Sequence, residues 1–325
     1  MRRKALIIVL CILTAGMVSG CGENAARYGT KDKSKISIVC TVFPVYDWVR
    51  NIVGSENGNV EIKLLMKGGD LHSFQPSARD IADAVTADMF IYIGGTSDRW
   101  ADDVVKNNRT EDKAIRLFDI LGDSLEGEQH KEGMEPEEHH GHEEHEEEYD
   151  EHVWLSLKCA AKTVRALTER LCSIDSANSV EYIKNSVSYI NKIDELDREY
   201  SAAAAQSRNK TVIFADRFPF LYMTEDYGID YYAAFPGCSV DAEASFGTVV
   251  FLADKADKLG KNTLIVLEGS KQSIADAVIS NAKHRNIKTA VMDSCQSTGS
   301  AEAADGADYL EIMRGNLVSL KEALN

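Results

Sequence analysis

The chain has 325 residues, 44% of them apolar, and a formal net charge of −16, and its length suffices for two domains of ordinary size. Fourteen carboxylates and a single lysine, Lys131, fall between Asp123 and Glu151, so one segment carries most of the negative charge and the remainder is close to neutral. There is no basic stripe and no aromatic-plus-arginine motif, which excludes a nucleic-acid partner. The scattered cysteines exclude a zinc ribbon or a dense disulfide framework.

The chain opens on a basic Met1-Arg2-Arg3-Lys4, followed by an apolar run over 5–18 that is shorter than the roughly 20 residues a membrane-spanning helix needs. Val18-Ser19-Gly20-Cys21 then reads as a lipobox. Residues 1–20 are expected to be a cleaved signal peptide and Cys21 the lipidation site, leaving an exported chain anchored to the outer face of the cell membrane. An uncleaved N-terminal anchor is the competing reading. Residues 21–34 are small and polar, a tether.

An N-terminal lobe is expected over 35–176. Strand-like runs at 36–42, 61–66 and 89–93 alternate with helical ones at 46–53 and 76–87, and a further helix covers 156–172. Within this lobe, 122–150 is acidic, histidine-rich and of low complexity, which predicts a mobile loop. Residues 177–206 form one long amphipathic helix, with Val180, Ile183, Val187, Ile190, Ile193, Leu196 and Tyr200 at helical spacing. A C-terminal lobe over 207–325 repeats the alternation, with strands at 211–215, 230–234, 263–267 and 289–292. The pattern predicts an α/β fold of two lobes, each a mostly parallel sheet flanked by helices, joined by the long helix. Cys40, Cys159, Cys172, Cys238 and Cys295 read mostly as buried free thiols, with one or two pairings open outside the cell.

Polar residues gather where these strands end. His72 lies in the loop GGDLHSFQP, Asp216 follows 211–215, Glu268 follows 263–267, and Asp293 follows 289–292. Ligands of parallel sheets bind outside the carboxyl ends of the strands, and His152, just after the acidic insert, can reach the same place. Two imidazoles with two or three carboxylates suit a divalent metal. Singly, each residue has a bland reading: a solvated histidine, a helix cap, or for Asp216 an ion pair with the adjacent Arg217. In the insert, His130, His139, His140, His142 and His145 stand among glutamates, a composition that collects metal ions weakly rather than forming a specific site.

The lipobox, TVFPVYDWVRNIVG, GGDLHSFQPSARDIADAVTADMFIYIGG and DEHVWLSL, with a His/Glu-rich tract before the last, resemble the bacterial solute-binding protein 9 family over nearly the whole mature chain. The resemblance implies a non-enzymatic, monomeric lipoprotein that captures Zn2+ between its lobes and passes it to an ABC permease and its ATPase. It implies His72 and His152 as the first two ligands, Asp216 at a third position that zinc binders usually fill with histidine, and Asp293 as the fourth. Glu268 is implied behind the ligands or as an occasional one. The Asp216 departure would also suit Mn2+ or Fe2+, whereas the histidine-rich insert favours zinc. From other classes, a surface zinc metalloenzyme with Glu268 as base, and a passive metal store or adhesin, remain alternatives; no HExxH motif is present.

Overall fold

The computed structural model describes residues 35–55, 57–135, 149–239, 243–284 and 286–325, and in it the alternation becomes two four-stranded sheets. The first holds β1 (Ile36–Cys40), β2 (Val60–Leu64), β3 (Met89–Tyr92) and β4 (Ala114–Arg116) in the order β2-β1-β3-β4. The second holds β5 (Thr211–Phe218), β6 (Asp230–Pro236), β7 (Thr263–Leu267) and β8 (Lys288–Met292) in the order β6-β5-β7-β8. Every pairing between them is parallel, so the two lobes repeat one topology. β3 and β7 are apolar and buried throughout, as strands covered on both faces must be. Three short helices (Arg99–Asn108, Leu117–Leu121 and Ser300–Ala304) and β4 escape the sequence pattern, each being too short for its period to stand out.

The linking helix runs over Ser179–Gln206, 28 residues, or about 42 Å at 1.5 Å per residue. Its expected apolar stripe is correct only in the second half. Ile190, Ile193, Leu196 and Tyr200 are buried, but Val180 is 82% exposed, Ile183 52% and Val187 54%. Tyr182 and Tyr189 are buried in their stead. Their rings bury more area than valine, and their hydroxyls reach partners at Asp175 (2.6 Å) and Asp47 (3.2 Å).

One apolar core crosses the lobe boundary. It takes in Trp48 from the helix Phe43–Val53, Trp154, Tyr200 of the linking helix, and Tyr309 of the C-terminal helix Tyr309–Leu324. Trp48 and Tyr309 meet edge-on at 5.4 Å, the Tyr309 hydroxyl donates to the Trp154 carbonyl at 2.6 Å, and the Tyr200 hydroxyl donates to the Met313 carbonyl at 2.6 Å. Residues Ile36–Asn325 accordingly form one compact unit.

The expectation of a mobile loop over 122–150 is corrected at its flanks. Gly127 and Tyr149 form an antiparallel bridge. The Glu126 amide donates to the Tyr222 hydroxyl at 3.2 Å, Met134 is buried, and the Glu135 amide donates to the Ala234 carbonyl at 2.9 Å. Residues 122–135 thus lie as a strap against the C-terminal lobe, because their backbone groups and Met134 find partners there that an unattached loop would leave to water. His139, His140, His142 and His145 fall outside the described residues, as do Cys21 and the rest of residues 1–34. Among the described residues all five cysteines are free, and no helix is long and apolar enough to cross a membrane.

Candidate metal-binding site

The loops after the strands' carboxyl ends carry the chemistry, as parallel sheets require. Beyond β2, Asp70 caps a turn of 3-10 helix, Leu71–Ser73, accepting the His72 amide at 2.9 Å. The turn sets the His72 ring so that Nδ1 meets the Ser97 hydroxyl at 2.8 Å, and leaves Nε2 buried without a hydrogen-bond partner. Burial, then the neighbouring charge of His152, push the His72 pKa down to about 4. The ring is neutral at pH 7, with Nδ1 engaged by Ser97 and Nε2 left without a partner.

His152 is fully buried. Its ring lies 5.4 Å from that of His72 and 5.4 Å from that of Trp154. Nδ1 meets Asp150 Oδ1 at 3.0 Å and Nε2 meets Gln296 Oε1 at 3.1 Å. Burial alone would lower its pKa, but the Asp150 carboxylate outweighs this and raises it.

Each of the three carboxylates read from the sequence accepts at least one backbone amide. Asp216 sits in a bulge of β5, where its carboxylate accepts the Arg217 amide at 2.9 Å and the Leu267 amide at 3.2 Å, tying β5 to β7. Asp293 accepts the Cys295 amide at 2.7 Å, and burial raises its pKa. Glu268 accepts from the Ser294 amide (2.9 Å), the Ser294 hydroxyl (2.6 Å) and the Ser297 hydroxyl (3.1 Å), so it shapes the loop that presents Gln296. Burial, then the charge of Asp293, raise the Glu268 pKa. His130, on the strap, is exposed and meets the Glu135 carbonyl at 2.9 Å.

Four residues that sequence reasoning did not place at the site stand there, among them Arg217, which pairs with Asp70 rather than with Asp216. Arg217 donates to Asp70 at 2.6 Å and to the Ser239 carbonyl at 3.3 Å, joining the lobes beside His72. Gln296 meets His152. Glu151, 1% exposed, accepts the Ser97 amide through Oε1 at 2.7 Å and leaves Oε2 buried without a partner. Cys238 follows β6, its amide held by Glu128 at 3.3 Å. Burial, then the Asp150 and Glu128 charges, push its thiol well above the ordinary range, which is not the setting of a reactive nucleophile. The available signals were adjacency to His152 for Glu151 and, for Cys238, a Pro-Gly-Cys sequence at a strand end.

A cavity of about 510 Å³ opens between the lobes, lined by His72, Ser97, Trp100, Glu128, Glu151 and Cys238. Among the described residues, only His72, Glu151 and Cys238 form a group of three whose ligand atoms lie within 4.8 Å of one another. Neither Asp216 nor Asp293 belongs to it, nor does His152. Such a group can hold a borderline cation through nitrogen, oxygen and sulfur.

Two α/β lobes on a shared core, with strand-end loops closing on a buried cleft, define a cleft-type binding protein. Residues 38–323 match the family described as zinc-uptake complex component A, periplasmic (ZnuA), and the chain belongs to that family. Among its curated relatives, the zinc-binding protein AdcA of Streptococcus pyogenes serotype M3 is 29% identical over 298 residues, covering 89% of this chain and 56% of AdcA. The chain therefore spans little more than half the length of that protein. The high-affinity zinc uptake system protein ZnuA of Bacillus subtilis is 29% identical over 322 residues, covering 98% of this chain and 96% of its own. Among solved structures, the Zn(II)-bound ZnuA-like domain of Streptococcus pneumoniae AdcA superposes with a TM-score of 0.68 at 26% identity, covering 89% of this chain and 98% of that domain. The metal-dependent lipoprotein YcdH of Bacillus subtilis gives a TM-score of 0.70 at 26% identity, covering 89% and 99%.

Proposed function

We propose that this chain is the extracytoplasmic substrate-binding component of an ABC zinc uptake system. It takes up one Zn2+ between its lobes and delivers it to a membrane permease driven by an ATPase. Capture and release are the whole of its work, with no catalytic step, and it acts as a monomer tethered through lipid on Cys21. The observation that carries this reading is the buried, partnerless Nε2 of His72 facing a cavity between the lobes of a ZnuA-family fold. A polar atom left bare in a protein interior costs about 1–3 kcal/mol, and a neutral imidazole with its other nitrogen fixed by a hydrogen bond is the usual form of a metal ligand. Asp216, Asp293 and Glu268 serve by holding the strand-end loops. Glu128 of the strap lines the cavity and accepts the Cys238 amide at 3.3 Å.

Competitive titration of the purified chain with Zn2+ and Mn2+, with bound metal counted, tests this. One tightly held Zn2+ that a large excess of Mn2+ fails to displace is the expected result. A chain that retains no stoichiometric metal is not a metal-uptake component, and one that prefers Mn2+ belongs to manganese or iron uptake.

A further inference from the structure

We propose that the first half of the linking helix rests on the membrane, its outward residues Val180, Ile183 and Val187 seated among lipid headgroups. This goes beyond metal capture, and it rests on the reading of Cys21 as a lipid anchor.

The apolar exposure is large and confined to one end of the helix. Val180, Ile183 and Val187 stand three and four residues apart on one side, and are 82%, 52% and 54% exposed. The same side continues through Asn191, Asp194 and Arg198, so its second half is polar. Tyr182, Ser186 and Tyr189 bury the opposite side. A row of three β-branched side chains left in water marks an interaction surface.

What covers the row follows from where the chain enters the fold. The Ile36 amide, at the start of β1, donates to the Asn59 carbonyl at 2.8 Å. The Asn57 side chain accepts the Asn59 amide at 3.1 Å and donates to the Tyr182 hydroxyl at 3.0 Å. Asn185 donates to the Ile52 carbonyl at 3.2 Å. The entry point and the first turns of the linking helix therefore share one end of the N-terminal lobe, at the amino ends of its strands. Cys21 lies 15 residues before Ile36, a span of at most about 54 Å, so lipid there holds this end toward the bilayer.

Charge gives the same orientation. Lys184, paired with Glu181 at 3.4 Å, and the exposed Lys192 border the row. Glu128 and Glu151 of the acidic segment line the cavity instead, at the carboxyl ends of the strands. Anionic headgroups repel that end and accept the lysines. The three side chains then sit at the boundary of headgroups and acyl chains, as the apolar face of an interfacial helix does, with the lysine stems reaching back to the headgroups. In this pose the cleft looks away from the membrane, toward incoming metal.

Tryptophan quenching tests this on the full lipidated chain, bound to vesicles of phosphatidylglycerol and phosphatidylethanolamine with brominated acyl chains. After subtraction of the wild-type signal, I183W should be quenched. V318W, at a C-terminal-lobe valine that is 59% exposed, should not be, and it controls for the ring's own affinity for lipid. Both positions face water, so neither change disturbs the core. Adding V180S and V187S to I183W should lower the contact equilibrium by about tenfold, as loss of two half-buried apolar side chains does. Equal quenching of I183W and V318W, or none in either, overturns the inference while the vesicle-bound chain leaves the anchor standing. A chain that fails to sediment with the vesicles overturns the anchor and the inference together. A blue shift of I183W emission that grows with protein concentration, without vesicles, gives the row to a second copy of the chain and also overturns it.

Discussion

Arg217 and Asp70 meet across the two lobes, Nη1 donating to Asp70 Oδ2 at 2.6 Å. Arg217 stands at the bulge of β5 and Asp70 caps the turn that carries His72, so the pair clasps the cleft at its binding loop. Burial would raise the Asp70 pKa, but the Arg217 hydrogen bond and charge hold it below the usual carboxylate range. The clasp also places a fixed positive charge where a cation must bind. Arg217→Ala should tighten Zn2+ binding by about fivefold, the effect of roughly 1 kcal/mol between charges several ångströms apart at a partly solvated site. The same change should cost about 1 kcal/mol of stability or less, as a part-exposed ion pair does. Calorimetric titration and urea midpoints read the two effects separately. Unchanged affinity in a folded variant would show that the arginine's charge does not reach the metal.

The lobes also touch backbone to backbone. The Ser300 amide donates to the Met66 carbonyl at 2.9 Å, and a Cβ on Gly299 would overlap the backbone of Lys67 and Gly68. Neither side can turn away as a flexible side chain would. Gly299→Ala should therefore destabilise the chain by about 1–3 kcal/mol and lower metal affinity by forcing the loops apart. Denaturant unfolding with and without Zn2+ measures both, and a wild-type midpoint would mean that the loops separate freely.

Asp47 joins three helices from a fully buried position. It accepts from Arg50 and, at 3.1 Å, Asn51 on its own helix, from the Tyr189 hydroxyl at 3.2 Å and from the Tyr309 amide at 3.4 Å. Burial raises its pKa from 3.8 to about 6, against the lowering effect of Arg50. Between those values the folded chain keeps a proton that the unfolded chain has lost, so stability falls as pH rises from about 4 to about 6 and is level above. Asp47→Asn removes that slope. The stability of the wild type relative to the variant should decline over this window by up to about 3 kcal/mol, at about 1.4 kcal/mol per pKa unit. A difference independent of pH would show that Asp47 ionises normally.

The histidine-rich tract should contribute number rather than affinity. Replacing His139, His140, His142 and His145 by alanine should abolish additional weakly held metal ions and leave the single tight one. Slower loading from dilute Zn2+ should accompany the change, since neighbouring carboxylates and imidazoles raise the local cation concentration. Metal counting after gel filtration and stopped-flow loading check the two statements. Loss of the tight ion would place the principal site in the tract.

Much of the fold was legible because local rules govern it. Alternating apolar runs bounded by Gly and Pro announce the strands, and parallel order follows from helices between them. The linking helix was correct in extent and half wrong in face. Period alone ranks Val180 and Ile183 above Tyr182, but the tyrosine rings bury more area and their hydroxyls have carboxylate partners, which no window of one helix contains. The strap at 122–135 was misread for the same reason: its composition is that of a solvated loop, and what holds it are groups nearly a hundred residues away.

For the site, the sequence by itself determined the neighbourhood: strand-end loops of two lobes, with His72 and His152 among them. Family membership and an exported, metal-handling role were already expected from those motifs. Only the tertiary structure decided which donors share a cavity. Asp216 and Asp293 carry the right chemistry but accept amides at their strand ends, whereas Glu151 and Cys238 converge on His72. Lining one cavity is a relation among atoms within a few ångströms of one another, and residues 72, 151 and 238 acquire that relation only when the two lobes share one core.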